Sequence, residues 1–376
     1  AFGANGSHAS AAHRTSQERF LAALTCSVLA AFTTGPCGRR RGHGRVCCDA
    51  LRATGRPDAT PPPGLLDAPG QWWHWRGHRI RYVCMGKKGP PIVLLHGFGV
   101  SLDYYRRLAP VLVEEGFQVF ALDWLGLGLS DKPPEPTYGI ELWAELLEDF
   151  CKSKVTNTPV LIGNSLGSLV ALAVAATPWG NTNVCGTVLL NCAGGMNIRH
   201  MANDDLTPLP LKLAATVITG ILSFLLQFRT FADFLLGNLK QPAVLKEVLK
   251  DLYTNPSGVD DSLVASIATP AEDPKAVDVF VKILTGEPGP SPDKLMPNVR
   301  CPVQLVWGDA DAITPLDGAY GRYFQQLARE KDDVTFTVVA AGHCPHDDNP
   351  NDVNTEVLYW LTRRRPHLAR LDLVRL

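Results

Sequence analysis

Gly163-Asn164-Ser165-Leu166-Gly167 is the stretch of sequence that decides the fold. It follows the apolar run 159–162 and precedes the helix-forming run 169–176. A serine between two glycines, with a strand before it and a helix after it, is typical of a sharp turn that lifts the hydroxyl out of a sheet. Side chains at the glycine positions would collide across that bend. We therefore interpret Ser165 as a nucleophile; the alternative is a structural serine in a strand–helix turn.

Two histidines near the C-terminus are candidates for the base that a serine nucleophile needs. His343 lies just past the strand-like run 334–339, and His346 follows three residues later. We favour His343 because a base is expected on the loop after the last strand. Pro345 would separate the two imidazoles, so His346 is interpreted as a residue that structures the loop.

The acid that orients this base is expected between nucleophile and base, at the end of another strand. The apolar run 301–307 is followed by Gly308-Asp309-Ala310-Asp311, and either aspartate could serve. The form Gly-x-x-Asp favours Asp311, which leaves Asp309 as a turn residue that bonds its own backbone. The order nucleophile, acid, base along the chain matches that of α/β-hydrolases, and not that of chymotrypsin or subtilisin.

Two backbone amides are expected to stabilise an oxyanion. One belongs to Leu166, and the other to Phe98 in the loop His96-Gly97-Phe98-Gly99, which follows the strand-like run 91–95. Glycines let this loop turn toward the developing charge. We interpret His96 as a brace of the loop rather than as a further catalytic histidine.

The rest of the chain alternates strand-like and helix-like segments, which predicts a mostly parallel sheet with helices on both faces. A leading hairpin is predicted at 72–84, and the segment 123–131 is interpreted as a structural loop. Further strands are predicted at 92–95, 119–122, 160–162, 188–190, 303–307 and 334–339. The predicted fold class is therefore α/β, an α/β-hydrolase fold with an inserted helical cap.

Residues 194–297 interrupt the alternation and predict this cap, which would lie over the strand ends and form most of the substrate pocket. The run 213–228 has sixteen residues without charge, below the roughly 18 to 20 that a membrane span needs. Two compatible interpretations stay open: a cap helix buried against the catalytic domain, and a lipid-facing lid for a long apolar chain or a membrane surface. The predicted substrate-binding residues are Leu213, Ile221, Leu225 and Phe228.

Composition limits the domain organisation, the partners and the cysteine chemistry that the chain can have. A chain of 376 residues, 45% of them hydrophobic, can bury a catalytic core, predicted at 61–193 and 298–365, together with a cap. A net charge of -1 does not favour nucleic acid as a partner. The ten cysteines have no metal-ligand spacing and are predicted to be free thiols in a reducing compartment. No metal or organic cofactor is expected, and the oligomeric state is left open.

The first sixty residues have a different character. Residues 1–60 carry eight arginines against three acidic residues, with many Ala, Ser and Thr. This composition is typical of an organellar transit peptide, with disorder as the alternative. A linker follows at 55–70, and a C-terminal tail is predicted at 366–376.

Two motifs resemble those of pheophytinases, plastid α/β-hydrolases that remove phytol from pheophytin. They are Gly163-Asn-Ser-Leu-Gly167 and Ala341-Gly-His-Cys-Pro-His-Asp347. The runs Trp75-Arg-Gly-His-Arg-Ile-Arg-Tyr82 and His96-Gly-Phe-Gly99 are more similar to chlorophyll dephytylases. The resemblance covers about residues 70–362.

This resemblance implies Ser165 as nucleophile, Asp311 as acid and His343 as base. Two positions depart from the pheophytinase pattern: Ser168 replaces a second glycine, and Asp348 replaces a glutamate. These departures bear on which substrate is hydrolysed and not on the type of reaction.

The resemblance further implies a serine esterase that cleaves the phytyl ester of a chlorophyll-type pigment in the chloroplast, in the stroma or in peripheral contact with the thylakoid membrane. A lipase or esterase for acylglycerols or galactolipids is the first alternative, since the same triad and apolar cap would serve it. A hydrolase-fold receptor for a small molecule is the second. A serine nucleophile argues against epoxide hydrolase and haloalkane dehalogenase chemistry, which needs a carboxylate at that position.

Overall fold

An eight-stranded sheet organises the chain. The computed structural model describes residues 64–66, 68–203 and 205–364, so the predicted transit peptide 1–60 and tail 366–376 lie outside the described residues. The strands are β1 Gln71–Trp75, β2 His78–Met85, β3 Pro91–Leu95, β4 Gln118–Leu122, β5 Val160–Asn164, β6 Gly186–Leu190, β7 Val303–Gly308 and β8 Val334–Val339. Their spatial order is β1-β2-β4-β3-β5-β6-β7-β8. The pairs β1–β2 and β2–β4 are antiparallel and the others parallel, which confirms the predicted hairpin and mostly parallel sheet.

Helices connect the strands. They are α1 Ala109–Glu114, α2 Ile140–Lys154, α3 Leu166–Ala175, α4 Gly180–Asn183, α5 His200–Asn203, α6 Leu209–Leu226, α7 Arg229–Leu239, α8 Pro242–Lys250, α9 Asp261–Ala268, α10 Ala276–Thr285, α11 Pro292–Leu295, α12 Ala319–Glu330, α13 Pro345–Asp348 and α14 Pro350–Tyr359. Short 3₁₀ turns occupy Leu102–Tyr105, Pro256–Gly258, Pro270–Glu272 and Met296–Asn298, and a π-helical turn occupies Trp360–Arg364.

The central strands are buried on both faces. Every residue of β3, β5, β6 and β7 is buried, as the near-continuous apolar runs of a covered parallel sheet require. Alternate residues of β3 point to opposite layers. Val93 and Leu95 pack with the apolar faces of α2 and α3, and Ile92 and Leu94 pack with those of α1 and α14. The cysteines that the structure describes are all free thiols.

The part of the chain described between β6 and β7 contains helices and 3₁₀ turns and no strand. Its apolar side chains form two clusters. One joins α8 and α9 to Tyr104 and Cys344 of the core. The other joins α6, α7 and α10 to one another through residues such as Leu226, Leu235 and Phe280. Part of this insertion is therefore attached to the sheet domain, while α6 packs on other cap helices.

The long helix α6 departs from one of the two interpretations of the run 213–228. Its side chains are buried only at Ala215, Thr219 and Leu226, and the helix packs on α5, α7 and α10. The interpretation of a helix buried against the catalytic domain is therefore wrong. The helix has 18 residues and a mean hydropathy of 1.9, so it also reaches the length at which a membrane span becomes possible. Sequence alone underestimated it because apolar residues precede the run that we delimited.

Candidate active site

Ser165 lies at the turn between β5 and α3 in a strained backbone conformation, with φ 54° and ψ -116°. Positive φ is uncommon for a residue with a side chain, and such strain clusters at functional sites. The turn requires glycine on both sides of the serine. A Cβ atom at Gly163 would overlap the backbone of Gly167, and one at Gly167 would overlap the carbonyl oxygen of Leu95. The bend leaves Ser165 only partly buried, at the carboxyl edge of the parallel strands.

A line of hydrogen bonds joins Ser165 to His343 and Asp311. Ser165 Oγ lies 2.9 Å from His343 Nε2. His343 Nδ1 lies 2.9 and 3.0 Å from the two carboxylate oxygens of Asp311. Because a carboxylate accepts only, the Nδ1–H donates to Asp311, and in the neutral ring Nε2 is left to accept the serine proton. The structure thus brings together the three residues that the sequence singles out.

Asp311 is buried in a set of donors that fixes its carboxylate. The N–H groups of Ile313 and Thr314 donate to Oδ1 over 2.7 and 3.0 Å, and the Thr314 hydroxyl donates to Oδ2 over 2.6 Å. A buried charge is tolerated when its lone pairs are satisfied in this way. The carboxylate can therefore hold the imidazole of His343 in one orientation.

The rival residues lie elsewhere. Asp309 is exposed, and its carboxylate accepts the N–H of Ala341 over 3.2 Å, so it bridges two loops. His346 is fully buried, and its ring packs 5.5 Å from Tyr104 and 4.8 Å from Tyr105 between centroids. Neither nitrogen of His346 has a hydrogen-bond partner within the described residues. Burial lowers the pKa of His346 to about 4, so the ring is neutral at ordinary pH.

The loop after β3 passes close to Ser165 at Gly97. A Cβ atom at Gly97 would lie 3.4 Å from the Ser165 Cβ, so the two backbones approach closely. In the part of the chain that the structure describes, the N–H groups of Phe98 and Leu166 donate no hydrogen bond. Both amides therefore stay the predicted donors to a substrate oxygen.

His96 braces this loop, as the sequence predicts. The Trp124 N–H donates to His96 Nε2 over 3.2 Å, so the proton of the neutral ring is on Nδ1, which contacts the Gly97 carbonyl oxygen at 2.8 Å. The indole of Trp124 also donates to the His96 carbonyl oxygen over 2.9 Å. Burial lowers the pKa of His96. The ring therefore stays neutral, and its Nε2 remains an acceptor for the Trp124 N–H.

The fold agrees with comparisons to known proteins. A model of the alpha/beta hydrolase family matches residues 92–356. The chain belongs to the alpha/beta hydrolase family. Chloroplastic pheophytinase of Arabidopsis thaliana is 24% identical to this hydrolase over 323 residues, which is 76% of this chain and 64% of that protein. The chain therefore spans slightly less than two thirds of that relative's length.

Two further comparisons show how widely the fold is used. Haloalkane dehalogenase 2 of Mycobacterium tuberculosis is 33% identical to this hydrolase over 118 residues, 31% of this chain and 41% of the dehalogenase. A crystal structure of a bacterial membrane phospholipase A superposes with a TM-score of 0.60 at 21% identity, covering 79% of this chain and 86% of the phospholipase. At this level of identity the superposition is informative about the fold alone.

The sequence did not reveal how the loop of His343 is held in this hydrolase. The His343 N–H donates to the Leu252 carbonyl oxygen of the cap over 2.9 Å. Asp348 accepts the N–H of Gly342 over 2.7 Å and both the N–H and the hydroxyl of Thr254 over 2.8 and 2.9 Å. The N–H of Asn255 donates to its second oxygen over 2.9 Å. The sequence signal was the pair of adjacent carboxylates after His346, but their partners in the cap are more than ninety residues away along the chain.

Asp347 forms a second connection between this loop and the cap. Its buried carboxylate accepts from Arg106 Nε over 2.9 Å and from the Tyr253 hydroxyl over 2.8 Å. Arg106 also contacts Asp260 and the Gly258 carbonyl oxygen of the cap. Cap and catalytic loop therefore share one buried polar network.

The segment 123–131 has the structural role that the sequence indicates. Asp123 is buried and accepts the N–H groups of Leu102 and Leu129 over 2.7 and 2.8 Å. It also lies 3.5 Å from Arg81, whose guanidinium pairs with Asp103 at 2.8 Å. This buried ion cluster was not predicted, because its members come from three separate segments.

The predicted substrate-binding residues lie on α6 or just after it. Leu213, Ile221 and Phe228 are more than half exposed, and Leu225 is partly buried. The structure gives no contact between these side chains and Ser165, His343 or Asp311. Their binding role stays a prediction.

Proposed function

We propose that this chain hydrolyses carboxylic esters, with Ser165 as nucleophile, His343 as general base and Asp311 as the acid that orients the base. The observation that carries the proposal is the continuous line of hydrogen bonds from Asp311 to Ser165 Oγ, 2.9 Å long at the serine end. A serine hydroxyl is a weak nucleophile until a neighbouring base accepts its proton.

The reaction passes through an acyl-enzyme. Ser165 Oγ attacks the ester carbonyl carbon while His343 Nε2 takes the hydroxyl proton, and the N–H groups of Phe98 and Leu166 donate to the oxyanion. His343 then returns the proton to the alcohol oxygen as the ester C–O bond breaks. Water, deprotonated by the same imidazole, attacks the acyl carbon and releases the carboxylic acid and free serine.

The phytyl ester of a chlorophyll-type pigment is the proposed substrate, and the chloroplast the proposed location. Support comes from the similarity to chloroplastic pheophytinase, from the motifs shared with that family and from the arginine-rich composition of residues 1–60. The two departures from the pheophytinase pattern have structural partners. The Ser168 hydroxyl donates to the Gly163 carbonyl oxygen over 2.7 Å, and Asp348 accepts four hydrogen bonds.

Acylglycerols and galactolipids are the second candidate substrates, because the exposed apolar helix α6 favours esters that reside in lipid. Dehalogenase chemistry is disfavoured despite the partial match, since position 165 holds serine where that reaction needs a carboxylate. The remaining candidate is a receptor that retains Ser165, His343 and Asp311 without catalysing repeated hydrolysis. Multiple turnover of an ester distinguishes an enzyme from such a receptor.

A panel of esters tests the proposal. Full-length protein and Ser165→Ala are incubated with pheophytin a, chlorophyll a, a galactolipid and a short nitrophenyl ester, and initial rates are compared. We expect multiple turnovers on a pigment ester, with free phytol as product, and a loss of roughly 10⁴-fold or more in Ser165→Ala.

Each other outcome has a definite meaning. Faster hydrolysis of the galactolipid than of either pigment would refute the pigment substrate and leave the ester chemistry in place. Less than one turnover on every ester would refute the enzyme and favour the receptor. An unchanged rate in Ser165→Ala would refute the nucleophile.

A further inference from the structure

One face of α6 forms an exposed line of large apolar side chains. We call it the apolar ridge, and every member is more than half exposed: Leu209, Leu213, Val217, Ile221 and Phe224 of α6, and Phe228 just past its end. At about 100° per residue, the spacing of four, four, four and three places the five residues of α6 within an arc of about 120°. The buried residues Ala215, Thr219 and Leu226 lie on the opposite side.

We infer that the apolar ridge is a docking surface for the lipid bilayer, with α6 lying in the plane of the interface. The arc contains no charged side chain. The exposed hydroxyl beside the arc, Thr216, donates back to the Lys212 carbonyl oxygen over 2.8 Å and so needs no water. Lys212 is the only charge within α6 and lies at the flank of the arc, where a long stem can keep its ammonium in the headgroup layer.

The helix is expected to lie on the bilayer rather than to cross it. Its packed face contacts α5, α7 and α10 along its length, and these helices carry ion pairs such as Arg229–Asp233 at 3.0 Å. If α6 crossed the bilayer, the charges on these neighbouring helices would be buried in the hydrocarbon core, or α6 would lose its packing contacts with them. A helix with one apolar face outward and one packed face is suited to an interfacial position.

A second copy of the chain fits the ridge less well than lipid does. A single helix of 18 residues is about 27 Å long, and a strip about 10 Å wide along it covers roughly 270 Å². Stable protein interfaces bury about 800 Å² on each partner. The ridge is also convex, and a fluid bilayer accommodates a convex apolar surface without a complementary groove.

Charge around the ridge is nearly balanced. Asp205 and Lys212 lie at one end of α6, and Arg229 at the other end is paired with Asp233 and Asp278. Among the described residues beside α6, no basic patch is available to attract anionic headgroups. We therefore expect binding to neutral lipid that changes little with salt.

The ridge is connected to the candidate active site through one further helix. The packed face of α6 belongs to the same cluster as Phe280 of α10, and Phe280 stacks on Phe98 of the oxyanion loop with centroids 6.1 Å apart. Docking through α6 would hold this part of the cap at the bilayer, where esters with long apolar chains dissolve. This functional consequence rests on the proposed function, whereas the docking itself does not.

The test compares two matched double variants of the full chain. Val217→Glu with Phe224→Glu places two charges on the ridge at positions outside the predicted substrate-binding residues, and Val338→Glu with Tyr359→Glu places two charges at exposed apolar positions of the catalytic domain. Flotation with phosphatidylcholine vesicles, and with vesicles of equal parts phosphatidylcholine and phosphatidylglycerol, measures binding at low and high salt. Gel filtration reports the oligomeric state, and Ser165→Ala serves as a variant without hydrolysis.

We expect wild type, Ser165→Ala and the Val338/Tyr359 variant to float with neutral vesicles, and the Val217/Phe224 variant to bind at least about tenfold more weakly. Its hydrolysis of a short soluble ester is expected to be unchanged. Equal binding by both double variants, or none by wild type, would overturn the inference. So would binding only to anionic vesicles at low salt, or a dimer that the ridge variant alone dissociates. Vesicle binding without hydrolysis of any ester would refute the proposed function and leave the docking surface intact.

Discussion

Ser165 and its neighbours show what single residues contribute. A positive φ at a residue with a side chain costs on the order of 1–3 kcal/mol, and the adjacent glycines and the carbonyl of Leu95 leave the turn no easy way to relax. The strained position puts Oγ within hydrogen-bond reach of His343. His346 makes no hydrogen bond to Ser165 Oγ, although it is only three residues from His343 in the sequence.

Substitutions at the paired candidates separate their roles. Ser165→Ala and His343→Ala are each expected to lower turnover by roughly 10⁴ to 10⁶-fold, because the residues act as a unit. His346→Phe preserves the packing on Tyr104 and Tyr105 and is expected to cost less than about tenfold. Steady-state rates on the short nitrophenyl ester provide the measurement. A folded His346→Phe as inactive as His343→Ala would show that the base is assigned to the wrong histidine.

Local motifs made these residues predictable, and the limits of that approach are physical. The serine turn and the histidine past β8 depend on backbone geometry within a few residues, which the sequence encodes directly. The choice of Asp311 over Asp309 likewise rested on a local turn. The pair Arg81–Asp103 and the donors to Asp348 were missed, because they depend on which distant segments the fold brings together.

Among the elements, the connection between cap and catalytic loop is the most consequential. The segment 252–260 donates to Asp348 and accepts from the His343 N–H. Through Arg106 it also belongs to the ion pairs of Asp347. His343 is therefore positioned by the cap as well as by the end of β8.

Asp348 is expected to act as a positioning residue. Asp348→Asn replaces an acceptor with an amide that faces N–H donors, so the loop should shift, and a displacement of about 1 Å can cost about 100-fold in rate. We expect kcat to fall by roughly 10 to 100-fold with little change in KM. Asp348→Glu, which restores the carboxylate, is expected to recover most of the rate. The matched control is Asp352→Asn on the exposed side of α14; equal losses in both asparagine variants at unchanged melting temperature would argue against positioning.

The helix α6 illustrates what a uniformly apolar sequence leaves undetermined. Its exposed and packed faces are both largely apolar, and they differ mainly in the size of their side chains. Ala215 and Thr219 lie on the packed face, and Phe224 lies on the exposed one. Hydropathy therefore predicted a helix in the cap without predicting the direction that its large side chains face. That direction is set by the packing of α7 and α10, which is a tertiary property.

At the scale of the whole molecule, stability depends on groups that folding keeps neutral. His346 is the clearest case, since its ring is fully buried and neither nitrogen has a partner within the described residues. Burial disfavours the charged form of this imidazole more strongly than the nearby Asp347 carboxylate favours it. Burial lowers its pKa from 6.5 to about 4, so the unfolded chain binds a proton at pH values where the folded protein does not.

This difference predicts how the unfolding free energy changes with pH. The contribution of His346 is fully present above about pH 6.5 and is lost progressively as the pH falls to about 4, because only the unfolded state gains a proton in that window. The loss amounts to as much as about 3 kcal/mol. His346→Phe should remove this part of the slope, so its unfolding free energy relative to wild type should rise between pH 7 and pH 4.5, as measured by urea denaturation. His74→Phe changes an exposed histidine in the same way and should leave the slope unchanged. Parallel pH profiles for wild type and His346→Phe would mean that His346 is protonated or hydrated in the folded protein, and that the packing around the catalytic loop is looser than the structure shows.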